Sequence, residues 1–552
     1  MKFVAPNLLD SIMSWVSPSL GLERFRARQT LAMYGGGWSG GGLGGHLGAR
    51  KSRNQTKAWS VHAGDPDVDD LPDLGALRAR SRDLTRNAPL ARGAVSTVTT
   101  NVVGSGLRLQ ARIDREVLNG IIGTTDEEFD AFERQLEREF AFWANSPDAD
   151  ASRHLSFAGI QELAFRSCLT SGDVFIVRRF IPRPGGRLST ALQVIEADRI
   201  ANPLGQIDTP DMAGGVQRDQ FGAAIAYRVL RMHPGDVRYW KDEADMIPAW
   251  GSSGLPNVIH LMTVERPSQI RGIPYLAPVI ETLKQLDQYR EAELMAAVVG
   301  AMFTVFIKTE DGAELPVQND HDKDFKMAPG AILSLRQGED ISTACPQRPN
   351  QAFDPFTNAI LQQIGVALEI PYELLVKHFT ASYSAAQAAL VEAWKFFYAR
   401  RAWLSVNLCQ PVYAAVITEA VASGRIRAPG FLGDPFIRAA YLGSNWVGPP
   451  RGQIDQLKEV NAAVARVNAG FTTIADECAA ISGGDFERTH AQRAKEQRMR
   501  EEEGLVAPVV APQPPPSSMD SGNTDPQNPD GSEEPPTDGQ DSADSTGKGG
   551  NG

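Results

Sequence analysis

The longest apolar run in the chain, Leu294 to Ile307, covers about fourteen residues and contains Gly300 and Thr304. Crossing a bilayer takes about twenty apolar residues, so this run reads as a helix that must be covered by protein. The cover can come from its own subunit or from a second copy. Ala296, Ala297, Gly300 and Ala301 would let another helix approach closely. Near the N-terminus Pro6 and Asp10 interrupt any apolar core of a signal peptide, so no export signal is expected there. Leu9, Ile12, Met13 and Val16 recur at helical spacing, which predicts a short amphipathic helix. The expectation is a cytosolic chain with no membrane partner.

Two shifts in composition bound the part that can fold. Residues 35–48 are mostly glycine and read as a flexible linker. From about Leu505 the chain turns to Pro, Gly, Ser and acidic residues with no aromatic side chain, too little apolar surface to offset ordering entropy. This tail holds Asp520, Asp525, Asp530, Glu533, Glu534, Asp538, Asp541 and Asp544 against Lys548, so much of the net charge of −12 lies there and the body is closer to neutral. Such a balance disfavours tight generic DNA binding, which rests on a basic surface. The 552 residues leave room for large cores. Cys168, Cys345, Cys409 and Cys478 stand far apart without C-x-x-C spacing, which argues against a disulfide framework or a zinc site.

Between the flanks the pattern is α+β. Asp83 to Val103 reads as one helix that breaks at Gly104 and Gly106. Thr125 and Glu128 form a capping box ahead of Phe129, Phe132, Leu136, Phe140 and Trp143, which predicts a helix over 125–144. Another helix runs from Phe157 to Leu169 and stops at Gly172. Strands are predicted at 174–181, 191–200, 224–230 and 257–263. Pro278 to Ile307 reads as one long helix, about 45 Å at 1.5 Å per residue. Short polar segments fill 308–352, with VFIKT (305–309) leading in and a further strand expected within AILSLRQGED (331–340). Helices return at 353–368, 384–423 and 452–503.

Signals for chemistry are weak. Ser39 lies in GWSGG, a literal G-x-S-x-G, but a nucleophile elbow needs a strand before it and a helix after it, and both flanks here are glycine. Residues 40–45 match G-x-G-x-x-G without a preceding strand. The eight histidines show no i, i+4 pair. Glu196 and Asp198 alternate on a predicted strand and could cooperate as an acid–base or metal pair. A salt bridge to Arg199 or another arginine is the simpler expectation. No phosphate-binding G-x-x-x-x-G-K-[ST] is present. The expectation is a protein without enzymatic activity, metal or cofactor.

A series of blocks in the body resembles the lambda-type phage portal proteins. They are NAPLARGAVSTVTTNVVGSG (87–106), SGDVF (171–175), QVIEADRI (193–200), HPGD (233–236) and VIHLMTVERPSQIRGIPYLAPVIETL (258–283). MAPGAILSLRQGEDI (327–341), IPYELL (370–375) and TASYSAAQAALVEAWKFFYARR (380–401) complete the series. Coverage runs in order from about residue 75 to 430. Two departures stand out: Ser268 where the family more often has glycine, and SGD where it has SGE.

The resemblance implies a portal fold, assembled as a ring of about twelve subunits, with no catalytic site. It implies an N-terminal segment to 74, a wing over 75–277, a stem helix over 278–307 and a clip over 308–352. A second stem helix (353–368), a channel loop (369–385), a wing helix (386–450), a helical crown (451–504) and the disordered tail follow. Double-stranded DNA would pass through the channel, past candidates Lys377, His378, Tyr383, Lys284 and Arg290. The clip, with Asp320, Asp322, Asp324 and Arg336, would dock the terminase large subunit and later the head–tail connector or tail. Ala297, Gly300 and Ala301 would pack against neighbouring subunits. The major capsid protein and scaffold would surround the ring at a virion vertex, after assembly in the host cytoplasm. Two other readings remain open here, a different ring-forming head–tail connector and a hydrolase using Ser39.

Overall fold

The computed structural model describes residues 63–505 and Ala58, except for residue 205 and the stretches 238–240, 302–304, 310–338, 344–352, 380–382 and 453–454. Helix α1 spans Pro66–Asn87 and α2 spans Pro89–Val102. The single helix expected over 83–103 is therefore two. Ala88 is extended at φ −97° and ψ 115°, because the ring of Pro89 pushes the preceding residue out of the helical region. Past α2, Gly104 (φ +55°) and Gly106 (φ +102°) turn the chain into strand β1, Arg108–Ala111.

Helix α3, Asp126–Ala144, has the capping box that its sequence promises, with Thr125 and Glu128 satisfying each other's backbone N–H groups. Its apolar face, Phe129, Phe132, Leu136, Phe140 and Trp143, is buried. Helix α4, Phe157–Ser171, ends at Gly172 (φ +89°). Phe140 sits edge-on to Phe157, Tyr413 and Trp446 at centroid distances of 5.7, 5.5 and 5.7 Å. Each such buried ring contributes about 1.5–3 kcal/mol through burial alone.

The strands are β2 (Asp173–Phe180), β3 (Thr190–Glu196), β4 (Met212–Ala213), β5 (Val216–Arg218), β6 (Ala224–Leu230), β7 (Ala244–Pro248) and β8 (Val258–Met262). They form two antiparallel sheets, ordered β3-β2-β8 and β4-β5-β6-β7. In β2 the run Asp173–Val177 is buried on both faces, between the main core and a smaller cluster around Phe175, Tyr227 and Ile247. The expected strand over 191–200 stops at Glu196, where a 3-10 turn takes Ala197–Arg199.

Helix α5 spans Ile280–Ala301 after a 3-10 turn at Ala277–Val279, and strand β9 covers Val305–Thr309. The long helix expected to Ile307 is thus shorter, about 33 Å at 1.5 Å per residue. Val305, Phe306 and Ile307 have the β-branched and aromatic character that favours a strand. They pair antiparallel with β10, Glu339–Thr343. Helices α6 (Phe353–Ala367), α7 (Tyr372–Val376) and α8 (Tyr383–Leu404) follow.

A π-helical turn, Ser405–Cys409, joins α8 to α9, Gln410–Ala422. Pro411 lacks an N–H to bond backward, and a π-turn is one of the few ways for a helix to continue through such a gap. The stretch Ala385–Ala422 is long and apolar enough to cross a membrane by composition, but half of its most apolar window is buried inside the fold. Leu408, Val412, Tyr413, Val416 and Ile417 supply core instead.

The region expected as one wing helix over 386–450 also holds α10 (Pro435–Tyr441) and β11 (Ser444–Val447), which pairs antiparallel with β1. The helical block over 452–503 divides into α11 (Gln456–Asn468), α12 (Ile474–Ser482) and α13 (Phe486–Glu502). Residues from Glu487 onward form a unit of their own, whose described helix is polar all round with no buried residue.

Candidate functional site

The polar residues of several sequence blocks meet in one buried cluster. Asp173, at the start of β2, is fully buried and receives Arg271 Nε at 2.6 Å and Arg78 Nη2 at 3.0 Å. The Gly272 N–H donates to it at 3.2 Å, and His260 Nε2 lies at 3.4 Å. Arg271 uses its remaining donors on the carbonyls of Ile200, Gly214 and Ala197 at 2.9, 2.5 and 2.8 Å. Its guanidinium also lies 5.1 Å from the centroid of Phe175, which stacks on His260.

Burial alone would raise the Asp173 carboxyl, but Arg271 and Arg78 override it and hold the group well below the usual carboxylate range. Burial likewise pushes His260 below its ordinary value. Gly172 and Gly272 lie back to back, so that a Cβ on either would overlap the other's carbonyl oxygen. Arg271 spends its guanidinium donors within the protein and Arg78 adds bonds to Asp173 and the Ser171 carbonyl, so the cluster's work is structural. It ties α1, β2, the turn after β3 and the 271–272 segment together.

Next to it, the Arg82 guanidinium bonds the Asp198 carboxylate, approaches Glu196 at 3.2 Å and reaches the Ser171 hydroxyl at 3.1 Å. His233 Nε2 lies 3.5 Å from Glu196 and 3.9 Å from Asp198. These three side chains have the spacing of a metal site. Yet an arginine already sits against both carboxylates, and the Gly235 N–H donates to His233 Nδ1 at 2.9 Å. That bond leaves the neutral ring's proton on Nε2, facing the acids. The ion-pair reading of Glu196 and Asp198 holds, with Arg82 as the partner instead of Arg199.

The segments expected to carry function lie elsewhere. The first half of α5 buries Leu283 and Leu286, and Tyr289 stacks on Phe353 of α6 at 5.4 Å. Beyond that point the same helix exposes Leu294 (67 %), Met295 (60 %) and Val298 (45 %). Lys284, Arg290 and Ala297 are exposed as well, and Gly300 and Ala301 occupy the last helical turn.

The expected loop over 369–385 is largely anchored. Helix α7 buries Leu375, with Tyr372, Leu374 and Val376 packed on the core, and the Tyr275 hydroxyl donates to the Leu368 carbonyl. Left-handed residues bracket this turn, Glu369 (φ +53°) before it and Lys377 (φ +55°) after it. The N–H groups of Lys377 and His378 cap α7 at the Glu373 carbonyl, which leaves both side chains exposed beside Phe379. Tyr383 opens α8, so only 377–382 separate the two helices. Asp320, Asp322, Asp324, Arg336, Ser39, the amphipathic segment near Leu9 and the acidic tail lie outside the described residues.

Ser268, the departure from the family pattern, has φ +67°. That left-handed conformation is the physical reason for a glycine there.

A sequence profile described as phage portal protein, lambda family, matches residues 52–401. The portal protein of Escherichia phage N15 is 27% identical over 508 residues, covering 87% of this chain and 92% of that protein. Portal protein B of Escherichia phage lambda is 26% identical over 521 residues, covering 89% and 94%. Among solved structures, a chain from the virion of a native gene transfer agent particle matches with a TM-score of 0.40 and 16% identity, over 74% of this chain and 92% of that one. The profile match takes in the buried arginine–aspartate cluster, the α5–α6 pair and most of α8, and on that extent the chain belongs to the lambda family of phage portal proteins.

Proposed function

We propose that about twelve copies of this portal protein close into a ring at one capsid vertex, through which double-stranded DNA enters during packaging and leaves at ejection. The observation that carries the ring is the apolar end of α5. Leu294, Met295 and Val298 stand exposed on a single subunit, whereas the apolar residues Leu283 and Leu286 of the helix's other half are buried. Ala297, Gly300 and Ala301 are the positions where a neighbouring helix would come close.

In this reading α5 and α6 are the stem, 308–352 is the clip and 369–385, which includes α7, is the channel segment. The clip, through Asp320, Asp322, Asp324 and Arg336, docks the terminase large subunit, then the head–tail connector or tail. Lys377 and His378 meet passing phosphates, with Lys284, Arg290 and Tyr383 as further channel candidates. Such contacts are weak and salt-sensitive, as a sliding partner requires. The ring assembles in the host cytoplasm with the scaffold and major capsid protein, and remains in the virion. A portal protein is a structural component and not an enzyme, so Ser39 has no catalytic role.

Purified full-length protein, weighed by native mass spectrometry and imaged by electron microscopy, is expected to give closed rings with a central hole. Monomers or dimers at every salt concentration would overturn the reading.

A further inference from the structure

Helix α11 and helix α12 form a hairpin that its own subunit barely covers. Asp455 and Thr473 cap the two helices, and Arg466 on α11 bonds Glu477 on α12 through two contacts of 2.7 Å. Only Ala463 is buried in α11, and no residue is buried in α12. A helix of this length is marginal in water without an apolar cover.

The two exposed flanks of α11 differ in kind. One is a ridge of large side chains: Leu457, Val460 and Val464 at i, i+3 and i+7, prolonged past the helix end by Phe471 (83 % exposed) and Ile474. This spacing is half of a helix–helix seam. The other, on the far side from the ridge, is small and uncharged along its second half: Ala462, Ala465 and Ala469, all exposed, again at i, i+3 and i+7.

We propose that the ridge of one subunit packs on the alanine face of the next, making α11 a second subunit seam separate from α5. A ridge facing a copy of itself would give a two-fold dimer, whereas a ridge and a flat on different sides of one helix repeat head to tail and close a ring. Five exposed side chains offer only a few hundred Å² of apolar surface, short of the roughly 800 Å² per partner that a free-standing complex buries. The contact therefore suits copies already held side by side, where effective concentrations reach about the millimolar range. The inference rests on the ring reading above.

The test compares full-length wild-type protein with Leu457→Asp/Val464→Asp and, on the opposite flank, Ala465→Arg. Both variants keep the subunit fold, checked by circular dichroism. Their rings are expected to dissociate at protein concentrations at least about tenfold higher than wild type. The conservative pair Leu457→Met/Val464→Ile should match wild type. Rings of unchanged dissociation concentration in the charged variants would overturn the seam while leaving the ring reading intact. Absence of rings from wild-type protein would overturn both.

Discussion

Replacing Asp173 by asparagine removes one negative charge and almost no volume. It leaves Arg78 and Arg271 buried side by side without the carboxylate between them, and it keeps one acceptor oxygen where two had served both arginines and the Gly272 N–H. Breaking a buried ion pair from one side costs about 3–5 kcal/mol, a large share of the 5–15 kcal/mol that typically separates folded from unfolded. Urea unfolding of full-length protein, followed by tryptophan fluorescence, should therefore show a midpoint lower by about 1 M or more.

The effect depends on pH in a definite direction. The folded carboxyl titrates well below its value of roughly 3.9 in an unfolded chain. Its stabilisation is thus complete above that value and is lost as pH falls toward the folded pKa. The gap between wild type and Asp173→Asn should be constant from neutral pH down to about 5 and shrink below about 4. The double change Asp173→Leu/Arg271→Met should not restore stability, because the carbonyls of Ala197, Ile200 and Gly214 lose their donor and Arg78 stays unpaired. An Asp173→Asn midpoint equal to wild type, or a fully stable double variant, would refute the idea that this cluster holds the domain together.

Ser268→Gly should raise stability by up to about 1 kcal/mol, since glycine adopts φ +67° without strain; a lower melting temperature would contradict this. Gly272→Ala should cost at least about 2 kcal/mol, because the Gly172 carbonyl cannot yield without moving β2, and differential scanning calorimetry would reveal it. Acid should also weaken the fold through His260, whose pKa burial holds below the usual value of about 6.5. His260→Gln should flatten the stability profile below that pH. Lys377→Ala with His378→Ala should leave ring formation unchanged while packaged DNA becomes shorter or is lost, as read by genome length in filled heads.

Local signals were legible wherever both ends of an element were written in neighbouring residues. Helix α3 carried its cap, its periodicity and its length in one twenty-residue window, and β6 stood alone between turn residues. Elements whose existence depends on a distant partner were not readable. Strands β1 and β11 are four residues each, and they exist because Arg108 pairs with Val447 and Ala111 with Ser444, far apart in the chain. The break at Ala88 was written in Pro89, although the polar stretch Asp83 to Asn87 and the apolar run from Leu90 read together as one helix.

The buried cluster was visible only as fragments. Asp173 lay in one block, His260 and Arg271 in another, and Arg78 in none. The significance of Ser268 as a departure became physical only once its backbone angle was known. The exposed end of α5 was anticipated by the apolar run that begins at Leu294, although the helix stops before that run does.

The cluster also governs when the domain can exist. Arg271 lies 98 residues after Asp173, which itself lies 95 residues after Arg78. At about 10 residues per second, roughly 10 s of synthesis separate the aspartate from its second arginine. Until then Asp173 has Arg78 alone as its arginine partner, one guanidinium short of the pair that holds the carboxylate in the folded domain. A fragment released before Gly272 therefore stays open and available to proteases. Such a fragment also lacks α5, whose apolar end carries the proposed subunit contact, so interrupted synthesis is expected to yield fewer rings and not defective ones.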